Sequence, residues 1–456
     1  LLFLVSEGIR QSGTLGQVIK KLLPQGKTTV FKAQLRILPS VAFISAFLNN
    51  TPVVVIFAPI IKHWAKSVKL PATKFLIPLS YVTILGGICT LIGTSTNLVV
   101  HGMILEAGYE GFTMFELGKV GIFIAIAGII YLFIFSKRLL PDARPDTAVP
   151  DEEVEEGEKL HRVEAVLGAR FPGINKKLSD FNFQRHYGAE VKEIKTRNGQ
   201  RYVDHLEDVV LREGDTLVVM ADDTFIPTWG ESSVFVLLTN GNDPDTSGKK
   251  KRWLALILLV LMIVGATVGE LPATKEMFPD IKLDMFFFVC ITTIIMAWTN
   301  IFPARKYTKY ISWDILITIA CAFAISKAMV NSGVADCVAG FIIGLSDDYG
   351  PHVLLAILFV ITNLFTELIT NNAAAALAFP LALSISAQLG VSPTPFFVVI
   401  CMAASASFST PIGYQTNLIV QGIGNYKFTD FVRIGLPLNI ITFLISVILI
   451  PLIWNF

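Results

Sequence analysis

The sequence contains few charged residues for its length. Asp, Glu, Lys and Arg make up 16% of the 456 residues, whereas 53% are apolar, and the mean hydropathy is +0.61. This balance is too apolar for an ordinary soluble chain and indicates a polytopic membrane protein. The formal net charge is +1 and no basic stripe carries interleaved aromatic residues. The composition therefore predicts no nucleic-acid partner.

Cysteine is also scarce, and its spacing excludes two kinds of chemistry. The cysteines stand alone within apolar runs, without the spacing of a metal site or a redox pair. We interpret them as small core residues. They are Cys89, Cys290, Cys321, Cys337 and Cys401. The sequence likewise offers no nucleophile paired with a base and no cluster of metal ligands, which argues against an intramembrane enzyme.

Long apolar runs, in contrast, are abundant, and several could cross about 30 Å of hydrocarbon. They cover 75–105, 119–137, 253–271, 283–300, 311–330, 396–424 and 434–455. Two further runs, 36–61 and 352–380, are interrupted by pairs of polar residues. In the second half of the chain, two apolar runs precede the segment that corresponds to the start of this sequence. We therefore expect about two more spans before residue 1, and a natural N-terminus that is missing from this sequence.

The composition divides the chain into three parts. Residues 1–140 are the first membrane repeat, 141–250 a linker and a soluble domain with its core at 160–225, and 251–456 the second membrane repeat. Basic residues mark cytoplasmic loops, so the run of lysine and arginine at 249–252 predicts a cytoplasmic insert in a protein of the cell (inner) membrane. Matching loops of the two halves differ in charge character, as expected for repeats that are upside down relative to one another.

The inserted segment has the alternation of short strands. Residues 177–187 suit a short helix, and 191–202 suit a hairpin about Asn198 and Gly199. Residues 206–220 suit two strands joined by a Glu-Gly-Asp turn. We therefore expect a small α+β domain.

This segment resembles the TrkA C-terminal (RCK-C) regulatory domain over about 160–225. The resemblance lies in three stretches, 163–168, 178–188 and 207–219. It implies dimerisation and the binding of a small ligand, in some members a cyclic dinucleotide. An inert folded linker remains the alternative.

A duplicated pattern of amide and hydroxyl residues is the most informative feature of the chain. The triplet 49–51 (Asn-Asn-Thr) recurs as 370–372 (Thr-Asn-Asn), offset by 321 positions, and a proline follows each central asparagine. The stretch 93–98 recurs as 413–418, offset by 320 positions. Such a duplication on interrupted hydrophobic segments is typical of a secondary transporter whose binding site lies between two inverted repeats.

The triplets are expected at the tips of two helical hairpins that enter and leave the membrane on one face. The duplicated Gly-containing stretches are expected to break two long helices. Non-helical backbone at membrane depth is tolerated only against protein or a water-filled cavity, and helix N-termini favour anions. Amides and hydroxyls add donors without fixed charge, and their oxygens can also coordinate Na⁺. The candidate substrate-binding residues are Asn49, Asn50, Thr51, Thr94, Ser95, Thr370, Asn371, Asn372, Tyr414 and Gln415.

Structural roles for these residues remain alternatives. A single intramembrane asparagine commonly joins neighbouring helices, and glycine and proline can simply kink a helix. The register-matched repetition favours a site. Glu367, before the second tip, is either a group that takes part in binding of a coupling ion or proton, or one that faces solvent or pairs with a lysine.

At these residues the chain resembles the divalent anion:sodium symporter family, which includes sodium/sulfate and sodium/dicarboxylate cotransporters. The resemblance covers nearly all of 1–140 and 310–456. The family carries a Ser-Asn-Thr signature at each tip, and only its central asparagine is retained in both copies here. The resemblance implies sodium sites that combine this asparagine, a hydroxyl residue four positions before the signature, and the glycine of the break. The corresponding residues are Ser45, Asn50, Gly93, Thr366, Asn371 and Gly413.

The stretch 413–418 and the regulatory insert are more similar to the sulfate-transporting branch than to the dicarboxylate branch. The resemblance also implies a homodimer and an elevator-type cycle. We predict an all-α polytopic membrane protein of inverted repeats, each with a re-entrant hairpin and a broken helix. The predicted function is sodium-coupled symport of a divalent oxyanion, most simply sulfate. A sodium/dicarboxylate symporter is the nearest alternative, and an anion channel or membrane sensor is an alternative of another class.

Overall fold

The protein is described here from a computed structural model. The described residues are 1–24, 26–142, 161–168, 170–196, 200–222, 225, 229, 234–239, 249–269, 272–277, 283, 285–302, 307–311, 313–344 and 350–456. The turn predicted at Asn198 and Gly199 lies outside them.

The described residues before and after the insert are mostly helical, and these two parts of the chain are called the first and second membrane blocks. The helices of the first block are α1 (Leu2–Gln11), α2 (Thr14–Leu22), α3 (Val30–Ser45), α4 (Asn50–Ser67), α5 (Leu76–Gly87), α6 (Ser95–Glu106) and α7 (Gly118–Leu139). A short helix of the insert is α8 (Phe183–Tyr187). Those of the second block are α9 (Lys249–Gly269), α10 (Pro272–Met277), α11 (Met285–Trp298), α12 (Tyr307–Tyr310), α13 (Trp313–Asn331), α14 (Val334–Gly344), α15 (Gly350–Leu368), α16 (Asn371–Leu389), α17 (Thr394–Ser405), α18 (Gln415–Gly424) and α19 (Phe428–Ile453).

Several of these helices are long and apolar enough to cross a membrane. Within the described ranges five qualify singly, and α13 with α14 form a further pair bent by 71°. The five are α7, α9, α15, α16 and α19. Two outer helices, α7 and α19, expose apolar side chains at a spacing of four residues, which forms a continuous stripe on one helix face. The exposed side chains are Ile122, Ile126, Ile130 and Ile134 on α7, and Leu436, Ile440, Leu444, Ile448 and Leu452 on α19. A soluble protein would bury such stripes, so they indicate contact with lipid.

Polar segments divide the helices at the positions that the duplication marks. A tip of four residues, 46–49, joins α3 to α4, and a shorter tip joins α15 to α16 at Thr370. The apolar runs 75–105 and 396–424 are not continuous helices, because each is split into two, α5 with α6 and α17 with α18. The helix that follows each tip packs against the helix that follows the break of the other half: α4 contacts α18, and α16 contacts α6.

The insert forms an antiparallel sheet. Its strands among the described residues are β1 (His161–Leu167), β2 (Glu190–Lys195), β3 (Arg201–Tyr202), β4 (Thr216–Ala221) and β5 (Phe235–Thr239). Their order in the sheet is β3-β2-β4-β1-β5. The expectation of a first strand in 206–220 is wrong, because Leu206–Asp208 is a turn of 3₁₀-helix and only Val210 makes an isolated bridge, to Lys177.

The insert has a hydrophobic core of its own and also packs against the membrane part. Phe171 lies at the centre of its core and contacts Phe181, Tyr187 and Phe235. Val166 on β1, in contrast, is buried against the core of the membrane helices. One face of the sheet is therefore in contact with the membrane block.

Candidate functional site

The first hairpin tip contacts the helix break of the second half. Asn50 Nδ2 donates to the hydroxyl of Tyr414 at 2.7 Å, and Thr51 Oγ1 donates to Gln415 Oε1 at 3.2 Å. Asn50 is itself held by Ser45, whose hydroxyl donates to Asn50 Oδ1 at 2.8 Å. Asn50 is 1% exposed, so its contacts are buried, whereas the contact of Thr51 with Gln415 is exposed.

The second hairpin tip makes the reciprocal contact with the helix break of the first half. Asn371 Nδ2 donates to Thr96 Oγ1 at 2.6 Å. Asn372 Oδ1 accepts from Ser95 Oγ at 3.2 Å and from Thr96 Oγ1 at 3.4 Å. Each tip is therefore joined to the helix break of the other half of the chain.

The hydroxyl of Tyr414, in the second break, links the first tip to the first break. It lies 2.8 Å from Thr94 Oγ1 and accepts from Asn50. The first tip and both breaks thus meet at one phenolic oxygen. Four helices, α4, α6, α16 and α18, begin at this point, so their N-terminal N–H groups and positive dipole ends are gathered together.

Within each half, the break has the same internal hydrogen bonds. Asn97 Nδ2 donates to the carbonyl oxygens ten and seven positions earlier, and Asn417 Nδ2 does the same. Gly93 N donates to Thr90 Oγ1, and Gly413 N donates to Thr410 Oγ1. These pairs keep the 320-position offset of the sequence, so the duplication extends to the geometry of the two breaks.

Each break glycine lies against backbone oxygens. A Cβ on Gly93 would lie 2.5 Å from Gly87 O and 2.9 Å from Ala46 O. A Cβ on Gly413 would overlap the carbonyl oxygen of Thr366 and the hydroxyl of Ser407. Glycine is therefore required by close approach at both positions, and the approach brings hard oxygen atoms together at each tip.

Some of the predicted residues make different hydrogen bonds from those of their counterparts in the other half. Thr366 Oγ1 donates to Ala404 O at 2.7 Å, whereas its counterpart Ser45 donates to the tip asparagine. Thr370 Oγ1 accepts from Ala373 N and so caps α16. Asn49 stands at the N-cap of α4, but its side chain does not cap that helix. These three positions depart from the symmetry that the sequence predicts.

Glu367 is buried beside the second tip. It is 8% exposed, and its Oε1 accepts from Ser409 N at 2.8 Å and from Asn439 Nδ2 at 2.7 Å. Its Oε2 has no hydrogen-bond partner among the described residues. The solvent-facing alternative is therefore wrong, and within the described ranges the contacts are with neutral donors rather than a lysine.

Sequence reasoning left out three hydroxyl residues that organise the site. Thr96 binds both amides of the second tip. Thr90 donates to the carbonyl oxygen of Ala46, and Thr410 donates to that of Glu367, so each ties its break to its own hairpin. The signal was available, because the Thr-X-Ile-Gly pattern at 90–93 recurs at 410–413.

Replacing Tyr414 with phenylalanine is expected to destabilise the site, because it leaves the buried amide of Asn50 without its acceptor and the buried hydroxyl of Thr94 without its partner. Each unsatisfied group costs about 1–3 kcal/mol, which should lower the unfolding temperature of the purified protein in detergent. Tyr109→Phe is the control, since Tyr109 is 44% exposed. Equal unfolding temperatures for the two variants would contradict the conclusion that the Tyr414 hydroxyl stabilises the site.

Comparison with known proteins places this chain in a family. The chain matches the family model described as CitMHS, citrate transporter, in two overlapping segments, residues 1–385 and 277–456. It is 29% identical to an uncharacterized transporter of Synechocystis sp., over 100% of this chain and 88% of that protein.

Two other relatives match in part. The chain is 32% identical to a probable sodium/sulfate cotransporter of Chlamydomonas reinhardtii, over 61% of this chain and 31% of that protein. It is 25% identical to a sodium-dependent dicarboxylate transporter of Staphylococcus saprophyticus, over 32% of this chain and 28% of that protein. These matches and the apolar helices identify a membrane transporter rather than an enzyme. The chain belongs to the CitMHS citrate transporter family.

Proposed function

We propose that this protein is a secondary active transporter that couples the movement of Na⁺ to that of a divalent oxyanion, with sulfate as the first candidate substrate. The observation that carries the proposal is the reciprocal joining of the two hairpin tips to the opposite helix breaks, through Asn50 with Tyr414 and Asn371 with Thr96. The sodium/sulfate cotransporter among its relatives supports the choice of ions.

An anion at this junction would be bound by neutral donors. The stretches 46–51, 90–97, 369–373 and 407–417 contain no lysine or arginine. Amides, hydroxyls and the N-termini of four helices supply N–H and O–H donors instead, which favour an anion without forming a permanent ion pair. Weak neutral contacts suit a transported solute, because it must leave as readily as it enters.

Sodium ions would be bound at the flanks of the same junction. We assign one position to Ser45, Asn50 and Gly93, and a second to Thr366, Asn371 and Gly413. The close approach of Gly93 to Ala46 O, and of Gly413 to Thr366 O, supports this assignment, because carbonyl and hydroxyl oxygens are hard ligands. Bound Na⁺ would supply the positive charge that the anion lacks among the side chains. The ten candidate substrate-binding residues remain part of this proposal.

The remaining architecture belongs to the same proposal. The two halves are inverted repeats with re-entrant hairpins, the protein is a homodimer, and a transport unit moves in an elevator-type cycle. The insert is a cytoplasmic RCK-C-like domain that binds a small ligand and regulates transport. The matching internal hydrogen bonds of the breaks at Gly93 and Gly413 support the repeat.

Uptake into proteoliposomes tests the function. We expect labelled sulfate to accumulate against its gradient only when Na⁺ is higher outside, and succinate and citrate to compete weakly. Stronger sodium-driven uptake of succinate or citrate would instead assign the carboxylate alternative. Anion flux that only runs down its own gradient would identify a channel and contradict symport. Binding without flux would identify a sensor.

A further inference from the structure

The insert contacts two membrane helices that both begin at the candidate site. Lys62 on α4 places its Nζ 3.2 and 3.3 Å from the two carboxylate oxygens of Glu164 on β1. Lys195 on β2 approaches the same carboxylate at 3.2 Å. Glu164 thus joins a membrane helix to the sheet of the insert.

A second contact reaches α18. A Cβ on Gly422 would lie 2.5 Å from Thr216 Oγ1 on β4, and a Cβ on Gly214 would lie 3.2 Å from the side chain of Leu418. Thr216 is fully buried. A side chain at 422 would meet Thr216, so glycine at this position lets β4 approach α18 closely.

These two contacts lie at the far ends of helices whose first residues form the site. Lys62 follows Asn50 by twelve residues along α4, which is about 18 Å of helix. Gly422 follows Gln415 by seven residues along α18, which is about 10 Å. Since α4 and α18 come from different halves of the chain and pack against each other, the insert holds together the two halves of the site from one side.

We infer that the docked insert acts as a brake on transport: the Glu164 clasp, defined as Glu164 with Lys62 and Lys195, together with the packing of Thr216 on Gly422, stabilises one arrangement of α4 and α18. This inference rests on the proposed function. A contact made in only one state of a cycle slows the steps that leave that state. A ligand of the insert that opens the clasp would therefore activate transport.

A fall in pH is not expected to open the clasp. Burial alone would raise the pKa of Glu164, but Lys62 and Lys195, the charged groups that contact it, outweigh burial and hold it at about 2. A carboxyl with a lowered pKa contributes its stability above its ordinary pKa and loses it as the pH falls towards the lowered value. The clasp should therefore stay closed between about pH 5 and 8, so changes of pH in that range should not open it.

Paired variants test the brake. Lys62→Met removes the membrane side of the clasp and leaves Glu164 paired with Lys195 inside the insert. Lys66→Met, on the exposed face one turn later, removes the same charge without touching the clasp. We expect the initial rate of sodium-driven uptake to rise about fivefold in Lys62→Met, because losing one such ion pair shifts a two-state equilibrium by about that factor. In Lys66→Met the rate should stay unchanged.

A reversible cross-link between the insert and α18 should strengthen the docked contact, whereas Lys62→Met weakens it. Thr216→Cys combined with Gly422→Cys should form a disulfide, lower the uptake rate about fivefold or more, and recover on reduction. Each single-cysteine variant controls for cross-links to the native cysteines. Adding Lys62→Met should lower the cross-link yield, whereas adding Lys66→Met should not. This yield is measured without any transport.

The outcomes separate the brake from the transport proposal. Normal sodium-driven uptake that neither Lys62→Met nor the formed disulfide alters would overturn the brake and leave symport intact. Absence of a cross-link, or a yield that Lys62→Met does not change, would overturn the docked contact itself. If no anion is taken up by any variant, symport fails and the brake fails with it, while the cross-link yield still decides the docked contact.

Discussion

Alanine at Asn50 or at Asn371 is expected to reduce sodium-driven anion uptake by about tenfold or more. Each amide connects its own hairpin tip to the opposite half of the chain, Asn50 through Tyr414 and Asn371 through Thr96. Alanine removes these bonds and leaves a buried polar partner unsatisfied at about 1–3 kcal/mol, and about 1.4 kcal/mol already corresponds to tenfold in binding.

The two alanine variants should differ in stability. Asn50 is 1% exposed and bonds to both Ser45 and Tyr414, whereas Asn371 is only partly buried. Asn50→Ala is therefore expected to lower the unfolding temperature more than Asn371→Ala. A large loss of uptake in a stable Asn371→Ala protein would separate a binding role from a role in folding.

Asn331→Ala provides the matched control, because Asn331 is exposed at the end of α13. Uptake is measured in proteoliposomes with equal amounts of each protein, and folding is checked by the elution profile in detergent. If Asn50→Ala and Asn371→Ala both transport at the rate of Asn331→Ala, the assignment of the two tips to the binding site is wrong.

The positions of the tips and breaks could be predicted because the duplication repeats short-range chemistry. An amide pair, and a Thr-X-Ile-Gly stretch followed by Thr-Asn, favour an interruption of a helix. The structure accordingly begins α4 and α6 at these residues and ends α3 and α5 a few residues before them. Local signals of this kind depend on a few neighbouring residues and need no knowledge of the fold.

The pairing of each tip with the opposite break could not be predicted in this way. A fixed offset identifies equivalent residues but says nothing about which surfaces meet. Asn97 and Asn417 illustrate the limit: Asn417 Oδ1 accepts from Ser80 on α5 at 2.7 Å, while Asn97 Oδ1 has no partner among the described residues. The residue that corresponds to Ser80 by the offset is Ile400, which cannot donate.

The docking of the insert was also beyond sequence reasoning. Lys62 and Lys66 are both lysines of the same stretch of sequence, and nothing in that stretch distinguishes one from the other. Only the fold brings Glu164 to Lys62 and leaves Lys66 exposed. Gly422 likewise has no special neighbours in the sequence, and its requirement for glycine comes from Thr216.

Replacing Gly413 with alanine is expected to abolish sodium-dependent uptake, because the added methyl group has no free space. It would overlap the carbonyl oxygen of Thr366 and the hydroxyl of Ser407. A side chain can turn away, but a backbone carbonyl can move only with its helix end. Overpacking of this kind costs about 1–3 kcal/mol, and here the displaced group is an oxygen that we assign to the second sodium position.

Gly344→Ala is the matched control, since a Cβ there meets nothing within 4 Å. The double variant Gly413→Ala with Ser407→Ala separates the two clashes. It relieves the hydroxyl overlap and leaves the Thr366 carbonyl in place, so uptake should stay low while the unfolding temperature partly recovers. Recovery of both would show that the clash with Ser407 alone causes the defect. The dependence of uptake on Na⁺ concentration completes the test: a displaced Thr366 oxygen should raise the half-saturating Na⁺ concentration of any residual uptake, and an unchanged value would remove Gly413 from the sodium site.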